Sequence, residues 1–227
     1  MIHITFASDN MTISAANCHK TAIRYGAKGG KIFGPEDIDA CFFERNMVVL
    51  ESTRGAGYWL WKPYIINKML DILPENEILI YTDAGLSVEQ PLELLVKEMS
   101  GYIMVFGNRW RHGDWCKMDV LKEMDCEKYA EREQLQASCI ILRVSDFAKD
   151  FVSLWLDFCQ KPGYIDDSPS KIPNPKGWRE HRHDQAILTN LVFLWNISVH
   201  WWPAQYNLRN KHKYENKYPV IQIQKTT

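Results

Sequence analysis

A single carboxylate stands where the most apolar segment of the chain ends. Residues 77–82 predict a buried strand, and Asp83-Ala84-Gly85 follows it immediately. A carboxylate in that position is a hard oxygen ligand for Mg²⁺ or Mn²⁺, and a divalent ion could neutralise a diphosphate. Gly85 would let a ligand approach the backbone closely. The alternative is a simple turn in which Asp83 caps nearby amides.

A second polar cluster, Glu180-His181-Arg182-His183-Asp184-Gln185, follows a Pro-rich segment and opens a predicted helix. We expect Asp184 and Gln185 to point into a site at the end of the sheet, where the carboxylate orients substrate hydroxyls and the amide contacts the reacting centre. Asp184 in a first helical turn is also typical of plain capping. A metal-dependent hydrolase built on His181, His183 and Asp184 is a third interpretation, although further His or Cys ligands at a set spacing are lacking.

A third unusual stretch covers residues 53–63, in which small residues precede three aromatics and a cation. Its glycines fit neither the dinucleotide-binding pattern nor the P-loop pattern. Arg54 or Lys62 could meet a phosphate, and the aromatics could simply belong to the core.

Strands alternating with helices must position these residues. Apolar runs predict strands at 2–7, 77–82, 102–106 and 137–142, and periodic patterns predict helices at 12–26, 35–45, 63–73, 91–99, 145–160 and 183–195. This alternation indicates an α/β fold with a mostly parallel central sheet flanked by helices. Ligands of such sheets bind beyond the carboxyl ends of the strands, which selects residues 8–10, 83–85 and 107–109. Residues 109–117 read as a polar-aromatic loop, and residues 161–180 as a long loop of the kind that is often functional.

Composition narrows the function further. The 227 residues carry a formal net charge of −1, so the basic excess of a nucleic-acid binder is absent. No segment predicts a membrane span or a targeting peptide. The six cysteines are scattered, which favours reduced thiols and a cytoplasmic location.

Four blocks in this order resemble a family of GT-A glycosyltransferases from bacterial polysaccharide gene clusters and large algal viruses. They are Gly-x-Gly-Tyr-Trp-x-Trp-Lys-Pro at 55–63, Tyr-x-Asp-Ala-Gly at 81–85, Gln-Ala-Ser at 136–138 and His-Arg-His-Asp-Gln at 181–185. The resemblance spans nearly the whole chain. It implies a GT-A fold with a Rossmann-like nucleotide-binding half at about 1–110, an acceptor half at about 111–227, and a host-cytoplasm location if the chain is viral.

The blocks are more remotely similar to the retaining glycogenin and lipopolysaccharide-galactosyltransferase type. There an Asp-x-Asp binds Mn²⁺ with the nucleotide diphosphate, whereas this chain has Asp83-Ala84-Gly85 and lacks the second Asp. Asp184-Gln185 matches an Asp-Gln pair that lies beside the donor sugar, and residues 203–207 match a Pro-x-x-Tyr-Asn block. The late metal-binding His of that type has no counterpart in residues 220–224.

The resemblance implies transfer of a hexosyl or deoxyhexosyl group from a UDP-sugar to a glycan or glycoprotein acceptor, with retention. Asp83 would bind Mn²⁺ or Mg²⁺, and Asp184 and Gln185 would be the catalytic pair. The implied donor contacts are Ala7, Ser8, Asp9, Arg54, Lys62, Thr82, Asp83, Gln136 and His183. A glycan-binding domain without catalysis and the metal-dependent hydrolase remain alternatives, and the chain could be one part of a longer multidomain polypeptide.

Overall fold

The computed structural model describes residues 1–201, 204–206 and 222–224, with only the backbone of residues 9, 205–206 and 222–224. Its centre is a six-stranded sheet with the order β2-β1-β3-β6-β5-β7. The strands are β1 (Ile2–Phe6), β2 (Gly29–Phe33), β3 (Ile78–Thr82), β5 (Ile103–Arg111), β6 (Glu133–Arg143) and β7 (Val199–His200). The short strands β4 (Leu86–Ser87), β8 (Gln205–Tyr206) and β9 (Gln222–Gln224) form a second sheet.

The main sheet is mostly parallel, as predicted. β1 pairs in parallel with both β2 and β3, and β5 pairs in parallel with β7. Only β6 runs against its neighbours β3 and β5. The carboxyl ends of β1, β3 and β5 and the beginning of β6 therefore meet at one edge of the sheet.

Helices cover both faces of this sheet. They are α1 (Thr12–Arg24), α2 (Ala40–Arg45), α3 (Met47–Leu50), α4 (Gly55–Tyr58), α5 (Trp61–Ile72), α6 (Leu92–Lys97), α7 (Met118–Glu123), α8 (Asp146–Cys159) and α9 (His183–Leu194). The larger core contains residues of β1, β3 and β6 together with α5, α8 and α9. Among the described residues, no helix is both long and apolar enough to cross a bilayer.

The largely apolar composition of helix α9 explains why it lies in the core. From His183 to Phe193 nearly every residue is buried, so the helix is covered on all sides rather than along one stripe. It packs against α8. Ser145, the predicted N-cap of α8, accepts a hydrogen bond from the Ala148 amide at 3.2 Å through its hydroxyl. The buried Trp155 of α8 donates its indole N–H to the Asp184 carbonyl at 3.0 Å. This packing fixes the beginning of α9 at the ligand-binding edge of the sheet.

Several predicted boundaries differ from the structure. The predicted helix 35–45 is wrong in its first part, because Ile38 is extended and α2 begins only at Ala40. The predicted loop at 109–117 is wrong for its first residues, because β5 continues to Arg111, which pairs with Glu133. Strand β2 was not predicted, since its Gly29-Gly30-Lys31 beginning has no apolar run. Pro203 and Asn207 of the Pro-x-x-Tyr-Asn block lie outside the described residues.

Candidate active site

The ligand-binding edge of the sheet opens into a cavity of about 610 Å³. Ser8 beyond β1 and Asp83 beyond β3 lie in its wall, as the strand-end rule predicted. The Asp83 amide donates to the Ser138 carbonyl at 2.8 Å, which ties the strand end to β6. The rest of the wall is formed mainly by the segment before α5 and the loops after β1 and β3: Phe6, Asn10, Met11, Thr53, Gly55, Ala56, Trp59, Trp61, Ala84 and Gly85.

The Lys62 ammonium joins Asp83 to Asp184. Its Nζ lies 3.3 Å from Asp83 Oδ1 and 3.0 Å from Asp184 Oδ2, and it donates to the Ala137 carbonyl at 3.1 Å. The side chains of Lys62 and Asp184 are 3% and 5% exposed, whereas that of Asp83 is 38% exposed. Three sequence-predicted residues are thus assembled into one charged cluster, in which only Asp83 reaches the cavity wall.

Burial and ion pairing have opposite effects on the pKa values of Lys62 and Asp184. Burial by itself would lower the pKa of Lys62, but the two carboxylates outweigh it and the pKa is raised, so the ammonium stays charged. Burial raises the pKa of Asp184 to about 6, and the attraction of Lys62 offsets only part of that effect. Asp184 therefore holds a proton more readily than an exposed aspartate does.

Tyr81 completes the cluster, and the sequence analysis did not single it out. Its hydroxyl donates to Asp83 Oδ1 at 2.6 Å, because residues two apart on a strand point to the same face. Burial and the neighbouring Asp83 charge raise the pKa of Tyr81 well above its usual range, which keeps it a donor. The available signal was the i, i+2 spacing of Tyr81 and Asp83 within the predicted strand.

Gln185, which follows Asp184 in α9, is hydrogen-bonded to β6. Its Nε2 donates to Gln134 Oε1 at 2.7 Å, and its Oε1 accepts from the Ala137 amide at 3.4 Å. Gln134 also accepts from Asn108 at 3.3 Å. A chain of amides therefore runs from the beginning of α9 across β6 to the end of β5.

The turn before α5 has an unusual backbone. All four residues of α4 and the following Trp59 have positive φ, including Ala56 at 50° and Tyr58 at 51°. Left-handed conformation costs a non-glycine residue roughly 1–2 kcal/mol, so such a run needs support from its surroundings. The Trp61 indole donates to the Gly55 carbonyl at 2.9 Å, and a Cβ on Gly57 would lie 2.8 Å from Leu50 Cα. The Gly-x-Gly pattern therefore shapes the cavity wall.

Arg54 and His183 face a different neighbourhood from the one predicted. The Arg54 guanidinium binds Asp167 and Glu180, each at 3.0 Å, so its charge is already neutralised. His183 is buried, and its Nδ1 lies 2.6 Å from the Ile165 carbonyl. Its ring lies 5.1 Å from that of Trp59. Both residues link the cavity wall to the 161–182 loop.

The remaining predicted donor contacts are spread around the edge. Thr82 is fully buried, and its hydroxyl bonds to His3 and Cys18, so it faces away from Asp83. Gln136 accepts from the Ala204 amide at 3.1 Å. Ala7 is buried beside the cavity, whereas the side chain of Asp9 lies outside the described part of the chain.

The donor set at Asp83 fits a weakly held divalent ion. The contacts of Tyr81 and Lys62 are both with Oδ1, which leaves Oδ2 to a cation. No group of three His, Cys, Asp or Glu side chains that could hold a metal occurs among the described residues. Mg²⁺-type ions are commonly held by one or two carboxylates with substrate phosphates and water, and Asp83 matches that pattern.

The hydrolase interpretation finds no such donor set. The His181 ring accepts from the Lys117 amide at Nδ1 and contacts the Tyr164 carbonyl at Nε2, 2.6 Å away, so both nitrogens are engaged. Burial lowers the pKa of His181 well below its usual range. Asp184 faces Lys62 instead of the two histidines. These side chains do not converge on a common point.

Comparison with known proteins identifies the fold. No protein-family model matches the sequence, and no curated protein is significantly similar to it. A glycosyltransferase involved in glycosylation of the major capsid protein of PBCV-1 matches with a TM-score of 0.57 at 10% identity, over all of this chain and 93% of that one. The galactosyltransferase LgtC, in complex with donor and acceptor sugar analogues, matches with a TM-score of 0.52 at 12% identity, over 100% and 87% of the two chains.

The bifunctional glycosyltransferase WbbM matches with a TM-score of 0.56 at 13% identity. The match covers 92% of this chain but only 39% of WbbM, so the chain corresponds to one part of that longer protein. The chain has the GT-A fold that the four sequence blocks predicted.

Proposed function

We propose that this chain is a glycosyltransferase that moves a hexosyl or deoxyhexosyl group from a UDP-sugar to a glycan or glycoprotein acceptor. The GT-A fold supports glycosyl transfer in general. The observation that carries the proposal is the buried Lys62 bridge between Asp83 and Asp184 at the edge of the 610 Å³ cavity. A preorganised charge beside a cavity can stabilise charge that develops in a transition state.

The donor would occupy the 610 Å³ cavity. Ser8 and the backbone of residues 7–9 would hold the nucleotide, with the Trp59 and Trp61 rings as apolar walls. Mn²⁺ or Mg²⁺, held by Asp83 and the diphosphate, would act as a Lewis acid for the leaving UDP. Lys62 adds fixed positive charge next to Asp83 and needs no reorganisation, because it is already buried and bonded.

Asp184 and Gln185 would act on the sugar. Transfer breaks the bond between the anomeric carbon and the diphosphate oxygen, whose electrons leave with UDP. The acceptor hydroxyl oxygen forms the new bond to the anomeric carbon, and its proton passes to the departing diphosphate oxygen. Asp184 is buried behind Lys62, so its charge would act on the oxocarbenium-like transition state through the field of this ion pair and not by contact with the sugar, and Gln185, fixed by Gln134, would orient the ring. Retention of configuration is proposed from the resemblance of the Asp184-Gln185 pair to retaining enzymes.

Ligand-dependent thermal stability tests this proposal. We expect UDP and UDP-sugars, but not GDP or CMP, to stabilise the protein in the presence of Mn²⁺. At a hundred times its dissociation constant a ligand adds about 2.7 kcal/mol, which is easily seen as a shifted midpoint. Asp83→Asn should remove the Mn²⁺ dependence, because it removes the carboxylate proposed to hold the ion.

Asp71→Asn, an exposed carboxylate that does not line this cavity, is the matched control and should behave as wild type. A protein that no nucleotide stabilises would contradict the proposal and favour the non-catalytic glycan-binding alternative. An Asp184→Ala protein with full transferase activity would contradict the catalytic assignment.

A further inference from the structure

A second cavity, of about 410 Å³, lies under the 161–182 loop, and its lining includes Lys117, Asp167, Glu180 and His181. Ser170, Asn174 and Trp178 are also among the residues that line it. Its volume falls in the range of about 300–1,000 Å³ that is usual for small-molecule sites.

The loop that forms this cavity is fixed from below by Lys117. The ammonium is 3% exposed and donates to the carbonyls of Gly163, Asp166 and Ser168 at 2.5, 3.0 and 3.2 Å. It lies 3.3 Å from the Asp166 carboxylate as well. A buried cation surrounded by loop oxygens holds the loop in one conformation, so the cavity is preformed.

The lining favours a neutral ligand with hydroxyl groups. Ile172, Pro173 and Trp178 supply apolar surface, and Asp167 and Glu180 supply carboxylates. Lys117, the one cation among the described residues that line this cavity, is saturated by the loop, so an anion would find no free positive charge on them. The Trp178 indole nitrogen is inaccessible to solvent, so this side chain offers a ligand the apolar surface of its ring and not its N–H.

Two side-chain bridges place this cavity next to the first one. Arg54 stands between Thr53 and Gly55 of the 610 Å³ cavity, and its guanidinium binds Asp167 and Glu180 of the 410 Å³ cavity. The Trp59 ring lies 5.1 Å from the His183 ring, and His183 Nε2 lies 3.9 Å from Asp167 Oδ1. The two cavities are therefore neighbours, separated by one layer of side chains.

We infer that the 410 Å³ cavity binds a neutral sugar residue of the acceptor glycan. The inference rests on the proposed function, since the cavity would hold a sugar residue of the acceptor glycan next to the donor cavity, and not the residue whose hydroxyl receives the transferred group. The Trp178 ring stacks on the apolar face of the pyranose, while the carboxylates of Asp167 and Glu180, held in place by Arg54 and Arg182, accept from its hydroxyls.

Saturation-transfer NMR with simple glycosides tests the inference. The probes are the methyl pyranosides of glucose, galactose and mannose at millimolar concentration, added to the full chain. We expect wild type to bind at least one of them, and Trp178→Ala to weaken that binding by up to about tenfold, as loss of an aromatic contact predicts. Trp178→Phe keeps a smaller aromatic ring, so its binding should fall between the two.

Trp201→Ala is the matched control, because Trp201 is 43% exposed and lines neither cavity. If Trp178→Ala fails to fold, Ile172→Trp replaces it, since a larger ring there would occupy part of the cavity. Wild type that binds no glycoside, or Trp178→Ala that binds as tightly as Trp201→Ala, would overturn the inference.

UDP-dependent stabilisation measured on the same samples separates this inference from the proposed function. Trp178→Ala should retain the UDP shift of wild type, because the donor cavity does not include Trp178. Glycoside binding without any nucleotide-dependent stabilisation would contradict the proposed transferase function and support the sugar site. Nucleotide-dependent stabilisation without glycoside binding would support the transferase function and contradict the sugar site.

Discussion

At the scale of single residues, Lys62 is the side chain on which the site depends. It is an ammonium in the core, balanced by the buried Asp184 and the half-exposed Asp83. Removing one partner of a buried ion pair leaves the other charge without compensation, which costs far more than the pair itself contributes. Asp184 is the group that would be left uncompensated, because water reaches Asp83 but not Asp184.

Lys62→Met should therefore lower the free energy of unfolding by about 3–5 kcal/mol, as measured by urea denaturation at pH 7.5. Lys62→Met combined with Asp184→Leu should recover much of this loss, because the double variant buries no unpaired charge. Lys68→Met is the matched control on the same helix. The Lys68 partner is the 65%-exposed Asp39, and such surface pairs contribute at most about 1 kcal/mol. Equal losses for Lys62→Met and Lys68→Met would contradict this account.

The sequence identified which residues belong to the charged cluster better than it identified which groups each of them contacts. Asp83, Lys62 and Asp184 were each selected from the sequence as functional, and the structure brings them into contact. Lys62 was expected to meet a phosphate, but its nearest charges are two carboxylates. Arg54 was expected in the same role and is instead paired with Asp167 and Glu180. Contacts between residues this far apart in sequence depend on the packing of α5 and α9, which no local pattern reveals.

At the scale of elements, the α4 turn is where local preference and structure disagree most. Ala56, Tyr58 and Trp59 all have positive φ, although their side chains disfavour it. The turn persists because the Gly57 amide donates to the Ser52 carbonyl at 2.8 Å and Trp61 holds the Gly55 carbonyl. Strained backbone of this kind tends to occur at functional sites, and here it forms the cavity wall.

Gly57→Ala should lower the free energy of unfolding by about 1–3 kcal/mol, as expected for strain at a disallowed backbone position. The new Cβ would lie 2.8 Å from Leu50 Cα at a φ of 95°. Gly101→Ala is the control, because nothing lies within 4 Å of a Cβ built there, and its effect should stay within about 0.5 kcal/mol. Chemical denaturation of both variants decides the matter, and a Gly57→Ala protein as stable as Gly101→Ala would remove the strain argument.

The sequence predicted elements well where burial alone decides their form. Residues 78–82 and 137–142 are continuous apolar runs and became the central strands β3 and β6. β2 escaped prediction because an edge strand paired only with β1 needs no apolar run. The left-handed α4 turn escaped because its cause lies in contacts with Leu50 and Trp61, and a Gly-x-Gly pattern by itself is compatible with many turns.

At the scale of the whole molecule, buried histidines couple folding to pH. His3, His112, His181 and His183 are at most 2% exposed. Burial lowers the pKa of His3 to about 3 and that of His112 to about 4, and it lowers the pKa values of His181 and His183 as well. A histidine whose pKa is lower in the folded state stabilises the fold above its unfolded pKa of about 6.5, and that stability is lost as the pH falls toward the folded pKa.

Asp184 acts in the opposite direction. Its pKa is raised to about 6, so protonation favours the folded state, and its contribution is largest below its unfolded pKa and is lost as the pH rises through 6. Near pH 5 the unfolded chain therefore binds more protons than the folded chain at these histidines and fewer at Asp184. Because the buried histidines outnumber Asp184, stability should fall on acidification, by about 1.4 kcal/mol per pH unit for each net proton.

Urea denaturation between pH 7 and pH 4.5 should reveal this slope as a steep acid loss of stability. His112→Gln should reduce the slope near pH 5 by about one proton, or about 1.4 kcal/mol per pH unit, whatever it does to stability at pH 7. Asp184→Asn should do the opposite and steepen the slope, because it removes a group that gains a proton on folding. Stability that stays constant from pH 7 to pH 5, or the same slope in all three proteins, would mean that these buried side chains do not set the acid limit of the fold.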